Sequence, residues 1–443
     1  MTPGLLVALA VLAVLLVLVL VTWLRVPAFV ALLVTTILVA LAAGIPAGEV
    51  IGTVQQGIGG ILGYIAVVIG LGAMFGGLLE RSGGARAIAD ALLRRFGAER
   101  APSALAVTGL VIATPVFFDV ALVLLIPLAY SLARDSGKSL LLYALPLIAG
   151  IAVAHAFIPP TPGPVAVAAL LGADLGLVLL TGLVAGVPAM ILGGLMYSRF
   201  IAPRVEVLSA DLPSIAAAAS GDIRPPSPAA AFSVLGLPLA LIVAGSAASA
   251  LTESIPGWLA LASHPFSALT LGLLLAFHVF GRRAGMPMSE VRATCARALE
   301  PVGMIILVTG AGGALGKVLV AAGADQVVAQ AASGSGAPVL ILAFGVAAAV
   351  RVVQGSATVS MITSAGLVAP LLAAGASAFL PVLATIAIAS GATVASHVND
   401  SGFWLVSRYG GLSEGDAFRV WTAASTIIGV TGFLAVLGLS VLA

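Results

Sequence analysis

Ionisable and hydroxyl-bearing residues stand inside runs that are otherwise apolar, and they cluster at four places. Asp119 closes the segment Thr114-Pro-Val-Phe-Phe-Asp119, and Arg351 opens Arg351-Val-Val-Gln354-Gly355-Ser356-Ala-Thr358. A third segment reads His155-Ala-Phe-Ile-Pro159-Pro160-Thr161-Pro162-Gly163-Pro164, and a fourth Ser396-His397-Val-Asn399-Asp400-Ser401-Gly402-Phe-Trp404. A charged side chain at the centre of a bilayer costs roughly 2.5–3.5 kcal/mol on insertion scales, so such residues mark sites rather than filler. Each cluster also carries a helix breaker. Proline cannot donate a backbone hydrogen bond and clashes with the preceding turn. Unwound backbone at membrane depth must line a protein cavity to find partners. A half-helix restarting near Gly163–Val165 and a tip at Gly355–Thr358 both present free amides with partial positive charge, which suits a carboxylate. The hydroxyls of Thr161, Ser356 and Thr358, the Asn399 amide and the carboxylates can read substrate hydroxyls, and His155 and His397 are further candidates for substrate binding. Asp119 and Asp400 are the candidate proton carriers, with Arg351 as their charge partner. The chemistry expected is recognition of a small hydroxylated organic anion, with no catalytic residues.

The four clusters fall at matching places in two copies of one pattern. Gly70, Gly72, Gly76 and Gly83 recur at Gly310, Gly312, Gly316 and Gly323, an offset of 240. Pro127-Leu128 recurs at Pro370-Leu371 and His155 at His397, offset by 243 and 242. The pairs Gly72/Gly76 and Gly312/Gly316 have the spacing that lets membrane helices approach closely. Composition sets the solvent: 61% of the residues are apolar and 8% charged, against roughly 25% charged in a soluble protein. With about 20 residues per crossing, 443 residues hold roughly ten spans. These are expected near 4–24, 27–44, 58–80, 174–199, 229–251, 264–281, 300–321 and 416–441, with two long interrupted helices at 139–172 and 378–407. The first run is read as a span, since it lacks the basic lead of a cleaved signal. Two further stretches, 103–133 and 338–373, are broken near their middles and are expected to be re-entrant hairpins. The chain therefore divides into a first repeat, 1–202, a polar cytoplasmic linker, 203–228, and a second repeat, 229–443. The fold class expected is an all-α polytopic membrane protein.

Charge fixes an orientation. Threading these elements with both hairpins returning to their own side places 17 of the 19 Lys and Arg residues on one face. The opposite loops hold Glu49, Asp174, Glu253 and Asp325. Lys317, expected to snorkel to an interface, and Arg351 are the two exceptions. The basic face is cytoplasmic by the positive-inside rule, both termini face outward, and the repeats run antiparallel. Inverted repeats place a transporter's substrate site where they meet. A single cysteine, Cys295, excludes an intrachain disulfide and a thiolate metal cluster. A net charge of +2 gives no footing for nucleic acid.

At the clusters the chain resembles the gluconate permease family, the gluconate:proton symporters. The pieces that carry the likeness are His155-x-Phe-x-Pro-Pro-x-Pro-Gly-Pro164, Gly355-Ser-Ala-Thr358 and Ser396-His-Val-Asn-Asp-x-Gly-Phe-Trp404. The likeness extends over nearly the whole chain. It implies the paired hairpins and unwound helices of the ion-transporter superfamily, a homodimer, an elevator-like motion, a bacterial inner-membrane location and uptake of gluconate or a related sugar acid. Members often carry Glu where Asp119 stands and His where Thr161 stands. Relatives also take glycerate or D-serine. The cofactor expected is none, with H+ as coupling ion and Na+ as its rival. Two other classes are weighed. A channel would not need matched broken helices around a midplane site. An intramembrane enzyme would need an assembled nucleophile–base or metal constellation, and two His and two Asp can in principle hold a metal.

Overall fold

In lipid every backbone polar group must find a partner within the protein, and the chain meets this with helices throughout. The computed structural model describes residues 9–442 apart from 10–11, 14, 18, 21–22, 206, 208–223, 253–254, 323–336, 373–378 and 399. Most of the expected linker, much of the expected 4–24 span, Gly323, Asp325 and Asn399 thus lie outside the described residues. The first half contains α1 (Ala28–Ala42), α2 (Ala47–Arg81), α3 (Gly84–Phe96), α4 (Ala101–Ile112), α5 (Phe118–Ser136), α6 (Leu141–Phe157), α7 (Pro162–Leu171) and α8 (Leu175–Met190). The second contains α9 (Pro228–Leu251), α10 (Pro265–Ala276), α11 (Met288–Leu299), α12 (Val302–Ala321), α13 (Ala337–Gln354), α14 (Ala357–Val368), α15 (Leu380–Thr393), α16 (Ser401–Gly410) and α17 (Ala423–Leu442). Among the described residues, seven helical stretches are long and apolar enough to cross a bilayer. They are Ala47–Arg81, Leu141–Leu171, Leu175–Ile201, Pro228–Ser249, Pro265–Arg282, Val302–Ala321 and Glu414–Val441.

The order of elements repeats. A long helix (α2, α12) is followed by a pair with a short interruption (α4–α5, α13–α14) and then by a second interrupted pair (α6–α7, α15–α16). The first member of each early pair packs on the first member of the later one, α4 on α6 and α13 on α15. The halves also trade contacts: α14 packs on α7, and α5 packs on α16. Tyr130 of α5 donates its hydroxyl to the Tyr409 carbonyl of α16 at 2.6 Å. The cores of the interrupted pairs are buried, with Phe157 and Phe403 wholly enclosed.

The glycine pattern explains how these helices meet. α2 and α12 touch backbone to backbone: a Cβ on Gly57 would lie 2.6 Å from the Ala314 Cα. The tip between α4 and α5 rests on α2 in the same way, since a Cβ on Gly76 would lie 2.0 Å from the Pro115 oxygen. Across the second half, a Cβ on Gly366 of α14 would lie 2.8 Å from the Gly312 oxygen of α12. Small residues permit this approach where lipid supplies no hydrophobic drive. They also account for one departure from expectation. The span expected at 58–80 starts at Ala47, because Gly57, Gly59, Gly60 and Gly63 continue the helix rather than break it.

Candidate functional site

The four breaks differ in length and content from the sequence reading, and the differences decide what each can bind. Between α4 and α5 the chain leaves the helix over Ala113–Phe117. Between α13 and α14 only Gly355 and Ser356 are non-helical, with Gly355 at φ +89°, a value that favours glycine. Ser356 caps α14, its hydroxyl accepting from the Val359 amide at 3.4 Å. Between α6 and α7 only residues 158–161 are unwound, and α7 begins at Pro162. Proline is at home in a first helical turn, where its missing amide would have had no partner. The same fact weakens the expected anion site there. Pro162 and Pro164 offer no N–H, and the Val165 amide already donates to the Thr161 carbonyl at 3.2 Å.

A cavity of about 410 Å³ opens where three of the breaks converge. α13 and α14 contribute Arg351, Gln354, Gly355, Ser356 and Thr358; α5 and its approach contribute Phe117, Phe118 and Asp119. α6 adds Ala152, His155 and Ala156, and the last break adds Thr393, Asp400, Ser401 and Gly402, with Trp421 beyond it. The size falls in the usual range for small-molecule sites, roughly 300–1,000 Å³.

Arg351, which is buried, and Asp400, which is half-buried, form an ion pair. The guanidinium is only 4% exposed and also donates to the Gly355 carbonyl, tying the tip of the α13–α14 pair to the last break. Asp400 accepts further from the Ser396 hydroxyl and from the Gly402 amide at 3.1 Å. Its charge and lone pairs are thus engaged by the protein. Asp119 differs: it is exposed to the cavity, and among the described residues it makes no hydrogen bond or ion pair. His155 sits between these groups, its Nε2 3.3 Å from the Thr358 hydroxyl. Its Nδ1 and the Arg351 Nε are buried without a partner among the described residues.

Seven of the expected residues are therefore gathered: Asp119, His155, Arg351, Gly355, Ser356, Thr358 and Asp400. Three are not. Thr161 is 2% exposed and donates its hydroxyl to the Ile158 carbonyl at 2.6 Å, closing the end of α6 instead of facing the cavity. Gly163 faces Met361 of α14: a Cβ there would lie 2.2 Å from the Met361 Cε, so it is a packing position. His397 places Nδ1 2.8 Å from the Ala395 carbonyl and does not line the cavity. Asn399 lies outside the described residues. Sequence reasoning missed Phe117, Phe118, Gln354, Thr393, Ser401, Gly402 and Trp421. Phe117, Phe118, Gln354, Ser401 and Gly402 stood inside the motifs already singled out and could have been found there.

An all-helical, multi-pass chain whose interrupted helices enclose a polar cavity has the makings of a membrane transporter. The solved structures it resembles are consistent with that class at the level of fold. MtrF of Neisseria gonorrhoeae, from a class of antimetabolite efflux pumps, superposes with a TM-score of 0.61 at 15% identity over 88% of this chain and 83% of that one. The YdaH transporter of Alcanivorax borkumensis gives 0.61 at 17% identity over 93% and 96%. The model of the GntP family permeases matches residues 5–442, and the chain belongs to that family. It is a permease rather than an enzyme. It is 40% identical to the low-affinity gluconate transporter of Escherichia coli K12, over 98% of this chain and 97% of that protein. It is 36% identical to the gluconate permease of Bacillus subtilis over 99% of each. It is 33% identical to the Gnt-II system L-idonate transporter of Escherichia coli K12 over 94% of each.

Proposed function

We propose that the chain is a proton-coupled importer of gluconate or a closely related sugar acid, working across the bacterial inner membrane. The observation that carries this reading is the charge count of the cavity. Arg351 is already neutralised by Asp400, which leaves Asp119 as an unpaired carboxylate. A second anion entering that small space would face Asp119 at low dielectric, where like charges repel strongly. Substrate binding therefore requires a cation to arrive with it, and a proton on Asp119 is the smallest that serves. One proton per substrate anion gives an electroneutral step.

In this reading the substrate carboxylate meets the α14 N-terminus at Ser356–Thr358, where free amides and the helix dipole favour an anion. Thr358, His155, Gln354 and Ser401 face its hydroxyls. Asp400 and Arg351 hold the α13–α14 tip against the last break, so Asp400 serves as a latch, and Asp119 carries the proton. The repeated element order, the exchanged packing and the basic-face partition support two inverted repeats with re-entrant α4–α5 and α13–α14 pairs. Family membership supports a homodimer and an elevator-like movement of the cavity past the α2–α12 pair. The gluconate and L-idonate relatives support the substrate class.

The test is uptake of labelled D-gluconate into vesicles of purified protein under an imposed pH gradient, with and without sodium. Accumulation driven by an acidic exterior and indifferent to sodium is expected. A strict sodium requirement would replace the proton with Na+ held by Asp119 and the hydroxyls of Ser356 and Thr358.

A further inference from the structure

The cavity also has an aromatic component that the charge count does not use. Phe118 is the first residue of α5, half-buried, with its ring on the cavity wall. Three neighbours fix that ring. Trp421 lies 5.8 Å away between centroids at 37°, and His155 6.3 Å away at 62°. Gly402 closes the third side: a Cβ there would lie 3.3 Å from the Phe118 Cε1 and 3.2 Å from the Asp400 Oδ2. Glycine at 402 therefore lets an apolar ring and a carboxylate stand side by side. Trp421 is nearly enclosed, and its indole N–H donates to the Ser396 hydroxyl at 2.7 Å. It backs the Phe118 ring and is itself pinned to the network that holds Asp400.

Resting on the sugar-acid reading, we propose that Phe118 is a specificity-determining residue and Trp421 its positioning residue. The two select long polyhydroxy acids over short ones. An acyclic sugar acid has hydroxyls that seek polar partners and C–H groups between them that seek an apolar surface. Aromatic rings supply such a surface at small entropic cost. The His155 imidazole neighbours both groups, its Nε2 3.3 Å from the Thr358 hydroxyl at the α14 N-terminus and its centroid 6.3 Å from that of the Phe118 ring. A three-carbon acid held by its carboxylate at Thr358 ends before it crosses that imidazole. A six-carbon acid crosses it and lays its far carbons on Phe118, with hydroxyls turned to Ser401.

The experiment measures inhibition of labelled D-gluconate uptake in vesicles by unlabelled D-gluconate and by D-glycerate. Phe118→Leu is expected to raise the gluconate constant about tenfold and the glycerate constant less than twofold, so their ratio collapses. Phe118→Tyr keeps the ring and the ratio. Trp421→Phe keeps a ring but loses the N–H, and is expected to lower the ratio about threefold; it carries the test if Phe118→Leu fails to fold. A ratio unchanged in Phe118→Leu and Trp421→Phe, whether both constants rise or neither does, overturns the proposal while leaving sugar-acid transport standing. Absence of gluconate uptake by the unaltered chain overturns both readings, and is told apart by that control.

Discussion

The two breaks that interrupt α6–α7 and α15–α16 stand at matching places in the order of elements and are built in opposite ways. The first is short and enclosed. Its one hydroxyl, Thr161, turns back on the Ile158 carbonyl, and prolines at 159, 160, 162 and 164 remove donors that would otherwise need partners. The second, between Thr393 and Ser401, is held by borrowed side chains. The Ala395 amide donates to Thr426 at 3.1 Å, the Ser396 amide to Ser425 at 3.2 Å, and the Thr422 hydroxyl to the Ser396 carbonyl. From there Ser396 reaches Asp400, and Asp400 reaches Arg351. One break shapes the floor on which α14 packs, and the other places charge at the cavity. Matching places in the order of elements need not share a task.

The largest way to break this contrast is at its charged end. Arg351→Gln takes the cation from a half-buried Asp400 that keeps only the Ser396 hydroxyl and the Gly402 amide, which costs on the order of 3 kcal/mol. Uptake is expected to vanish and the denaturation midpoint of the purified protein to fall. Adding Asp400→Asn should restore part of that stability, and thermal denaturation of the single and double variants checks it. Next is Asp119→Asn, which should reduce pH-gradient-driven accumulation to the level of empty vesicles. Exchange of labelled for unlabelled gluconate at equal pH should persist, and measuring both fluxes separates coupling from binding.

A finer comparison sets Ser396→Ala against Thr161→Val. Thr161→Val removes the bond to the Ile158 carbonyl, and Ser396→Ala removes the bond to Asp400 together with the acceptor of the Trp421 N–H; each bond is worth about 1 kcal/mol. In the second break the loss should appear as a roughly fivefold rise in half-saturation for uptake. In the first it should appear in thermal stability, with half-saturation moved less than about twofold. The smallest effect expected is that of His397→Gln, which should leave uptake kinetics close to those of the unaltered chain. His155→Gln, by contrast, should weaken gluconate binding in the same assay.

Much of this was legible before any coordinates. Asp119, Arg351 and the Gly355–Thr358 tip stood out because ionisable and helix-breaking residues are costly in lipid unless they serve a cavity. The interrupted pairs were legible for the same reason. His397 misled because a similar offset reports position along the chain and not the direction a side chain takes from an unwound segment. Thr161 and Gly163 misled because a hydroxyl beside a break can satisfy its own carbonyl, and a glycine can serve packing as readily as a ligand. Trp421 carried no signal, and Phe118, though it stood beside Asp119 in a segment already singled out, was passed over, since aromatic residues are ordinary in a membrane chain and only their convergence gives them meaning. The early start of α2 was hidden because glycine breaks helices in water but packs them in lipid.

The crossing of α2 and α12, where Gly57 rests on Ala314, lies far along the chain from the 203–228 connection. Together with α7 on α14 and α5 on α16 it binds the halves through their interiors. Peptide continuity between them is then a convenience of synthesis rather than a condition of assembly. Two fragments co-expressed from a gene cut within that segment should find each other and restore gluconate uptake.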